Sequence, residues 1–223
     1  MTEPATAAQR LAAVRQQIDA AAAQARRDPS EVTLIAVSKT HDADAITPLI
    51  AAGQRHFGEN RVQEAKSKWP ALKAAQPDII LHMIGQLQSN KADDAVALFD
   101  VIHALDRSSL IAALARAMDR QQRRLPCFIQ LDLAGEPQKG GVAPAGLTAL
   151  LAEAHAADIP IIGLMTVPPL GLEPAPWFAL LAKLADDHGL ARLSMGMSGD
   201  YPTAVSLGAT HVRVGTALFG ARG

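Results

Sequence analysis

Three stretches of the chain carry residue types that could do chemistry together. Lys39 follows the apolar run 32–37, one residue beyond it after Ser38. Desolvation at the mouth of an apolar barrel favours a neutral amine, and a neutral lysine amine is the nucleophile that makes a Schiff base with a carbonyl. The plainer reading is a lysine that snorkels from a strand end into solvent. Near the other end of the chain stands Gly196-Met197-Ser198-Gly199-Asp200. Two glycines around a serine, followed by a helix start, suit an anion, because backbone N–H groups and a hydroxyl point the same way. The plainer reading is a loop in which Ser198 or Asp200 caps the next helix. The third stretch is His211-Val212-Arg213-Val214-Gly215-Thr216. Strand alternation puts Val212 and Val214 on one face and His211, Arg213 and Gly215 on the other. An inward arginine requires an acceptor. Within the chain the expected acceptor is a carboxylate on a neighbouring strand, Asp132 or Glu59.

Two further positions invite a role. Asn60 ends Phe57-Gly58-Glu59-Asn60 and can bond a ligand or cap the following helix. Asn90-Lys91 offers an anion contact or a solvated helix start, and His82 reads as a satisfied core histidine. The seven histidines look scattered, and no HxxxH or HxH pair accompanies a Cys or carboxylate cluster, so no metal site is expected. A Walker A loop and a G-x-S-x-G elbow are both missing from the sequence.

Positioning these groups needs a frame. Apolar or β-branched runs begin near Val32, His56, Ile79, Asp100, Cys127, Ile159, Ala191 and Thr210. Helix-like stretches 43–52, 61–75, 91–98, 108–122, 144–156, 174–188 and 200–207 separate them. In front lies a helix whose apolar stripe is Leu11, Val14, Ile18, Ala21 or Ala22, and Ala25, with Thr6 and Gln9 as a capping box and Asp28-Pro29 as its stop. Eight strands alternating with helices, several of them apolar almost throughout, predict a parallel, closed (β/α)8 TIM-like barrel. An open doubly wound sheet is the competing fold, but no GxGxxG follows the first strand. One domain is expected over residues 1–223, with the N-terminal helix in 1–28 and the barrel in 32–220. In such a barrel the site lies at the C-terminal strand ends, and phosphate binds in the loops after strands 7 and 8. Those are the places where Lys39, Asn60, Ser198, Arg213, Gly215 and Thr216 fall.

Composition narrows the function classes. Apolar residues make up 49% and charged residues 19% of the 223 residues, which excludes a disordered chain. A net charge of −1 and only 8 aromatic residues argue against a nucleic-acid partner. The single cysteine, Cys127, excludes an internal disulfide and suits a reducing compartment. No signal peptide is expected, and the apolar stretch 159–172 is broken by Pro160, Pro168 and Pro169, so neither is a membrane span. The expectation is a cytoplasmic monomer.

The segments LIAVSKT, HFGENRVQE, HMIGQLQSNK, GLMTV, SMGMSGD and VRVGTALFGAR, in this order, resemble the pyridoxal phosphate-binding or pyridoxal phosphate homeostasis protein family, the bacterial YggS and mammalian PROSC group. The resemblance implies a barrel of the alanine racemase N-terminal domain type with pyridoxal 5'-phosphate bound as an imine. It implies that Lys39 is the cofactor lysine, that Ser198, Gly215 and Thr216 hold the phosphate, that Arg213 faces the pyridine nitrogen, and that Asn60 lies near the cofactor. Leu81-His82-Met83 and Leu131-Asp132-Leu133-Ala134 depart from the family's usual residues and are expected to alter the pocket wall.

An arginine opposite the ring nitrogen disfavours its protonation, which makes the cofactor a weaker electron sink than one paired with a carboxylate. The family resemblance therefore implies a carrier or buffer in intracellular pyridoxal phosphate homeostasis, with little or no catalysis and with apo forms of pyridoxal phosphate enzymes as partners. The alternative is an amino-acid racemase. A two-base racemase needs a second acid or base; only residues 217–223 follow Thr216, so no second domain is expected to supply one, and Tyr201 is the only tyrosine. A Schiff-base aldolase-like barrel acting on a phosphorylated sugar is a third reading, which the placement of Arg213 and the motif order disfavour.

Overall fold

The computed structural model describes residues 5–220; the Ala221-Arg222 end of the last family segment lies outside them. Eight parallel strands close in sequence order: β1 (Thr33–Val37), β2 (His56–Glu59), β3 (Ile80–Met83), β4 (Val101–Leu105), β5 (Cys127–Leu131), β6 (Ile161–Thr166), β7 (Arg192–Met197) and β8 (His211–Val214). β8 returns to β1 in the register Thr33↔His211 and Ile35↔Arg213, so the lysine strand and the arginine strand are neighbours. The helices are α1 (Ala7–Gln24), α2 (Ala43–Ala51), α3 (Val62–Ala75), α4 (Ala92–Leu98), α5 (Ser108–Gln121), α6 (Leu147–Ala156), α7 (Ala175–Asp187), α8 (Tyr201–Ser206) and α9 (Thr216–Phe219). All eight strands and seven connecting helices fall where the alternation predicts them. The alternation does not predict the one-turn α9 that follows β8.

Helix α1 starts with the expected capping box between Thr6 and Gln9 and buries Leu11, Val14, Ile18, Ala21 and Ala22. It ends before the Asp28-Pro29 signal. Arg26 takes a left-handed φ of 55°. Its N–H bonds to Ala23 O, and that of Arg27 to Ala22 O, a Schellman closure with arginine where glycine is usual. Asp28 then caps a separate 3-10 turn, Pro29–Glu31.

Two apolar layers follow from strand alternation. Val212 and Val214 face outward into the main core between barrel and helices, which also holds Trp69, Phe99 and Phe178. A small cluster of Val101, Phe128 and Met165 is separate from it. Phe128 stacks on His103 and meets His211 edge-on, so the barrel interior is partly aromatic and partly polar.

Candidate functional site

Six strand ends and their loops deliver Val37, Lys39, Asn60, Ile84, Val167, Met197, Ser198, Gly199, Arg213, Gly215 and Thr216 to one cavity of about 570 Å³. The six residues singled out in the sequence, Lys39, Asn60, Ser198, Arg213, Gly215 and Thr216, all line it. They come from β1, β2, β7 and β8, so only barrel closure brings them together. Asn60 does not cap α3, whose N-cap is Arg61. Asp200 stands at the N-cap position of α8 but makes no side-chain capping bond there; its carboxylate instead accepts from Met197 N at 2.5 Å, which folds the loop back on itself. Ser198 Oγ accepts from Gly215 N at 3.1 Å, which ties the two anion loops together. Its hydroxyl hydrogen has no acceptor among the described residues.

Arg213 is 4% exposed and points inward as alternation requires. Its partners are neutral. Nη1 donates to Ser194 Oγ at 2.5 Å and Nη2 to Thr166 O at 2.9 Å. The expected carboxylate partners are engaged elsewhere. Glu59 bonds Ser38, Trp69 and Lys68, and Asp132 accepts from Glu136 N. A carbonyl and a hydroxyl satisfy a guanidinium's geometry without supplying charge. Among the described residues no carboxylate pairs with Arg213, and burial lowers its pKa to about 10.

The histidines are not scattered. His56 Nδ1 lies 3.0 Å from His82 Nε2, His82 Nδ1 lies 2.9 Å from His103 Nε2, and His103 Nδ1 lies 2.9 Å from Ser194 Oγ. A hydrogen-bonded chain thus crosses the barrel interior from β2 to Arg213. Burial first, then the unfavourable charging of one imidazole beside another, and for His103 also Arg213, hold His82 and His103 well below the ordinary histidine pKa. His211 is pushed down to about 3 by burial, with Arg192, His56 and Arg213 adding to it. Inward parity on successive strands is the signal that could have grouped these residues.

The departures at 81–83 and 131–134 do not form the cavity wall. Leu81, Met83 and Leu131 lie in the main core, and His82 belongs to the histidine chain. Tyr201 is buried, and its phenol donates to Gln17 of α1 at 2.6 Å. Asn90 and Lys91 sit in a 3-10 turn, with Lys91 in an adjoining cavity that shares Asn60.

The alanine racemase N-terminal domain family matches residues 9–223. A pyridoxal phosphate homeostasis protein of Pseudomonas aeruginosa is 41% identical over 97% of this chain and 96% of its own. The chain belongs to the pyridoxal phosphate homeostasis protein family. A solved member, PipY of Synechococcus elongatus with pyridoxal phosphate bound, is 44% identical, with a TM-score of 0.84 over 96% of this chain and 100% of that one. The barrel is of the alanine racemase N-terminal domain type. Alanine racemase of Clostridium difficile superposes at a TM-score of 0.70 and 13% identity, covering 93% of this chain and 56% of the enzyme, a likeness of fold alone. No described helix is long and apolar enough to cross a membrane.

Proposed function

We propose that the protein holds pyridoxal 5'-phosphate reversibly as an imine on Lys39 and acts in intracellular vitamin B6 homeostasis as a carrier or buffer with little or no catalysis. The cavity residues fit the group. Among the described residues nothing accepts the Ser198 hydroxyl hydrogen, which leaves it for a phosphate oxygen, in a loop tied to Gly215 and Thr216. Arg213 is a buried cation with no carboxylate partner among the described residues, suited to an acceptor nitrogen across the cavity. Asn60 adds an amide at the rim. When bound, the cofactor supplies a reactive aldehyde and a ring that can accept electron density. The chain supplies an amine, phosphate donors and a cation that disfavours protonation of the ring.

One observation carries the non-catalytic part. Among the described residues that line the cavity, Lys39 and Arg213 are the only titratable side chains. Two-base chemistry at an α-carbon needs a second proton donor or acceptor opposite the lysine. An arginine opposite the ring is a poor one, and Tyr201 is committed to Gln17. The lining therefore favours holding over turnover, with exchange to apo forms of pyridoxal phosphate enzymes as the role.

The test follows solvent deuterium entering the α-carbon of each common L-amino acid in the presence of cofactor-loaded protein. Transfer of cofactor to an apo-enzyme is measured alongside. The reading expects transfer without appreciable deuterium entry. Rapid, Lys39-dependent deuterium entry would favour the racemase alternative.

A further inference from the structure

Lys39 sits in a turn that the chain does not adopt freely. Thr40, the next residue, has a φ of 65°, in the left-handed region that β-branched residues avoid. Side chains from the end of β2 and from α3 hold it there. Lys68 of α3, with its side chain 8% exposed, donates from Nζ to Ser38 O at 2.9 Å and to His41 O at 2.8 Å. These two carbonyls bracket Lys39 and Thr40. Glu64, one helical turn earlier, accepts from the strained Thr40 N–H at 2.5 Å and pairs with Lys68 Nζ at 2.9 Å. Glu59 at the end of β2 pairs with Lys68 Nζ at 2.9 Å and accepts from Ser38 Oγ at 2.6 Å and Trp69 Nε1 at 3.0 Å. From the opposite side, the His41 ring stacks on Phe219 of α9, with centroids 4.3 Å apart and planes 11° apart.

This cluster is a poor stabiliser. Desolvating three charges offsets much of their attraction, and apolar replacements of similar shape are often neutral or better. Glu59 is fully buried, and its Oε2 has no hydrogen-bond partner among the described residues, a further cost. The cluster's contacts to the main chain all fall on one short segment, 38–41. Burial alone would raise the Glu64 pKa, but Lys68 and the Thr40 N–H outweigh it and hold the carboxyl below its ordinary range. Glu64 therefore stays an acceptor for Thr40 at neutral pH.

We propose that Lys68, held by Glu59 and Glu64, is a positioning residue that fixes the strained turn 38–41 and thereby aims the Lys39 amine into the cavity. The proposal rests on the reading that Lys39 carries the cofactor. Lys68 and Glu64 do not line the cavity; they act through the carbonyls and the N–H of the turn.

The test compares pyridoxal 5'-phosphate with pyridoxine 5'-phosphate, which has a hydroxymethyl group in place of the aldehyde and cannot form an imine. In Lys68→Met and Glu64→Gln, the rate of borohydride-stable labelling of Lys39 by pyridoxal 5'-phosphate should fall roughly 10- to 100-fold, as expected for a misplaced reacting group. Affinity for pyridoxine 5'-phosphate should stay nearly unchanged, and Lys68→Arg should restore part of the labelling. Equal losses for both ligands, or no loss for either, overturn the proposal. A second measurement does not need the cofactor. Competitive acetylation with acetic anhydride, read by peptide mass spectrometry across pH, should show a changed profile for Lys39 alone in both variants. An unchanged Lys39 profile overturns the positioning role. Failure of the wild type to form any imine on Lys39, with this profile still altered, overturns the functional reading and leaves the positioning intact. If Lys68→Met does not fold, the milder Glu64→Gln carries both measurements.

Discussion

Arg213 Nη1 donates to Ser194 Oγ at 2.5 Å, so the buried guanidinium sets the direction of a hydrogen-bond chain that ends at His56. A guanidinium only donates, so Ser194 Oγ must accept. The hydroxyl hydrogen then has one remaining partner, His103 Nδ1. His103 donates from Nε2 to His82 Nδ1, and His82 from Nε2 to His56 Nδ1. All three rings are neutral Nε2–H tautomers in this arrangement. Nitrogen-15 NMR of labelled histidines should show that tautomer for His82 and His103 at neutral pH. Ser194→Ala should release His103 and destabilise the fold by about 1–3 kcal/mol through the unpaired groups left behind. Nδ1–H tautomers in the wild type would reverse the assigned direction.

Acid should weaken the fold before the carboxylates titrate. His82, His103 and His211 have folded pKa values below their unfolded value near 6.5. Between those limits the unfolded chain binds more protons, so the stability they contribute is complete above about pH 6.5 and is lost as pH falls towards the folded values. Each group contributes a slope of up to roughly 1.4 kcal/mol per pH unit in that window. The urea midpoint, measured from pH 7 to pH 5, should fall steadily. A flat midpoint across that range contradicts the buried, neutral histidines.

Ser198→Ala should weaken pyridoxal 5'-phosphate by about 1.5–3 kcal/mol, the worth of one hydrogen bond to a charged group. Pyridoxal, which lacks the phosphate, should lose far less. Isothermal titration of both ligands checks this, and equal losses would move the phosphate away from the loops joined by Ser198 and Gly215.

The sequence made the strand order and the six cavity residues legible because both follow from local rules. Buried parallel strands read as apolar runs, and in this barrel the strand ends mark the site. Alternation places Arg213 inward, yet nothing in the sequence gives its partners. A buried cation suggests a carboxylate, whereas Ser194 and Thr166 satisfy it with neutral oxygens that carry no sequence signature. The histidine chain was hidden for a related reason. His56, His82 and His103 stand about a βα unit apart and meet only when the barrel closes. Lys68 and Glu64 read as an ordinary i,i+4 pair on a helix face, and nothing local revealed that they reach the turn beyond Lys39. The early end of α1 turned on Arg26, an arginine in a conformation that usually signals glycine.

The most direct measurement is borohydride reduction of protein saturated with pyridoxal 5'-phosphate, followed by peptide mass spectrometry. The account predicts loss of the imine absorbance and one pyridoxyl group, carried by Lys39 and lost in Lys39→Ala. A pyridoxyl group on another lysine, or none in saturated protein, would contradict it.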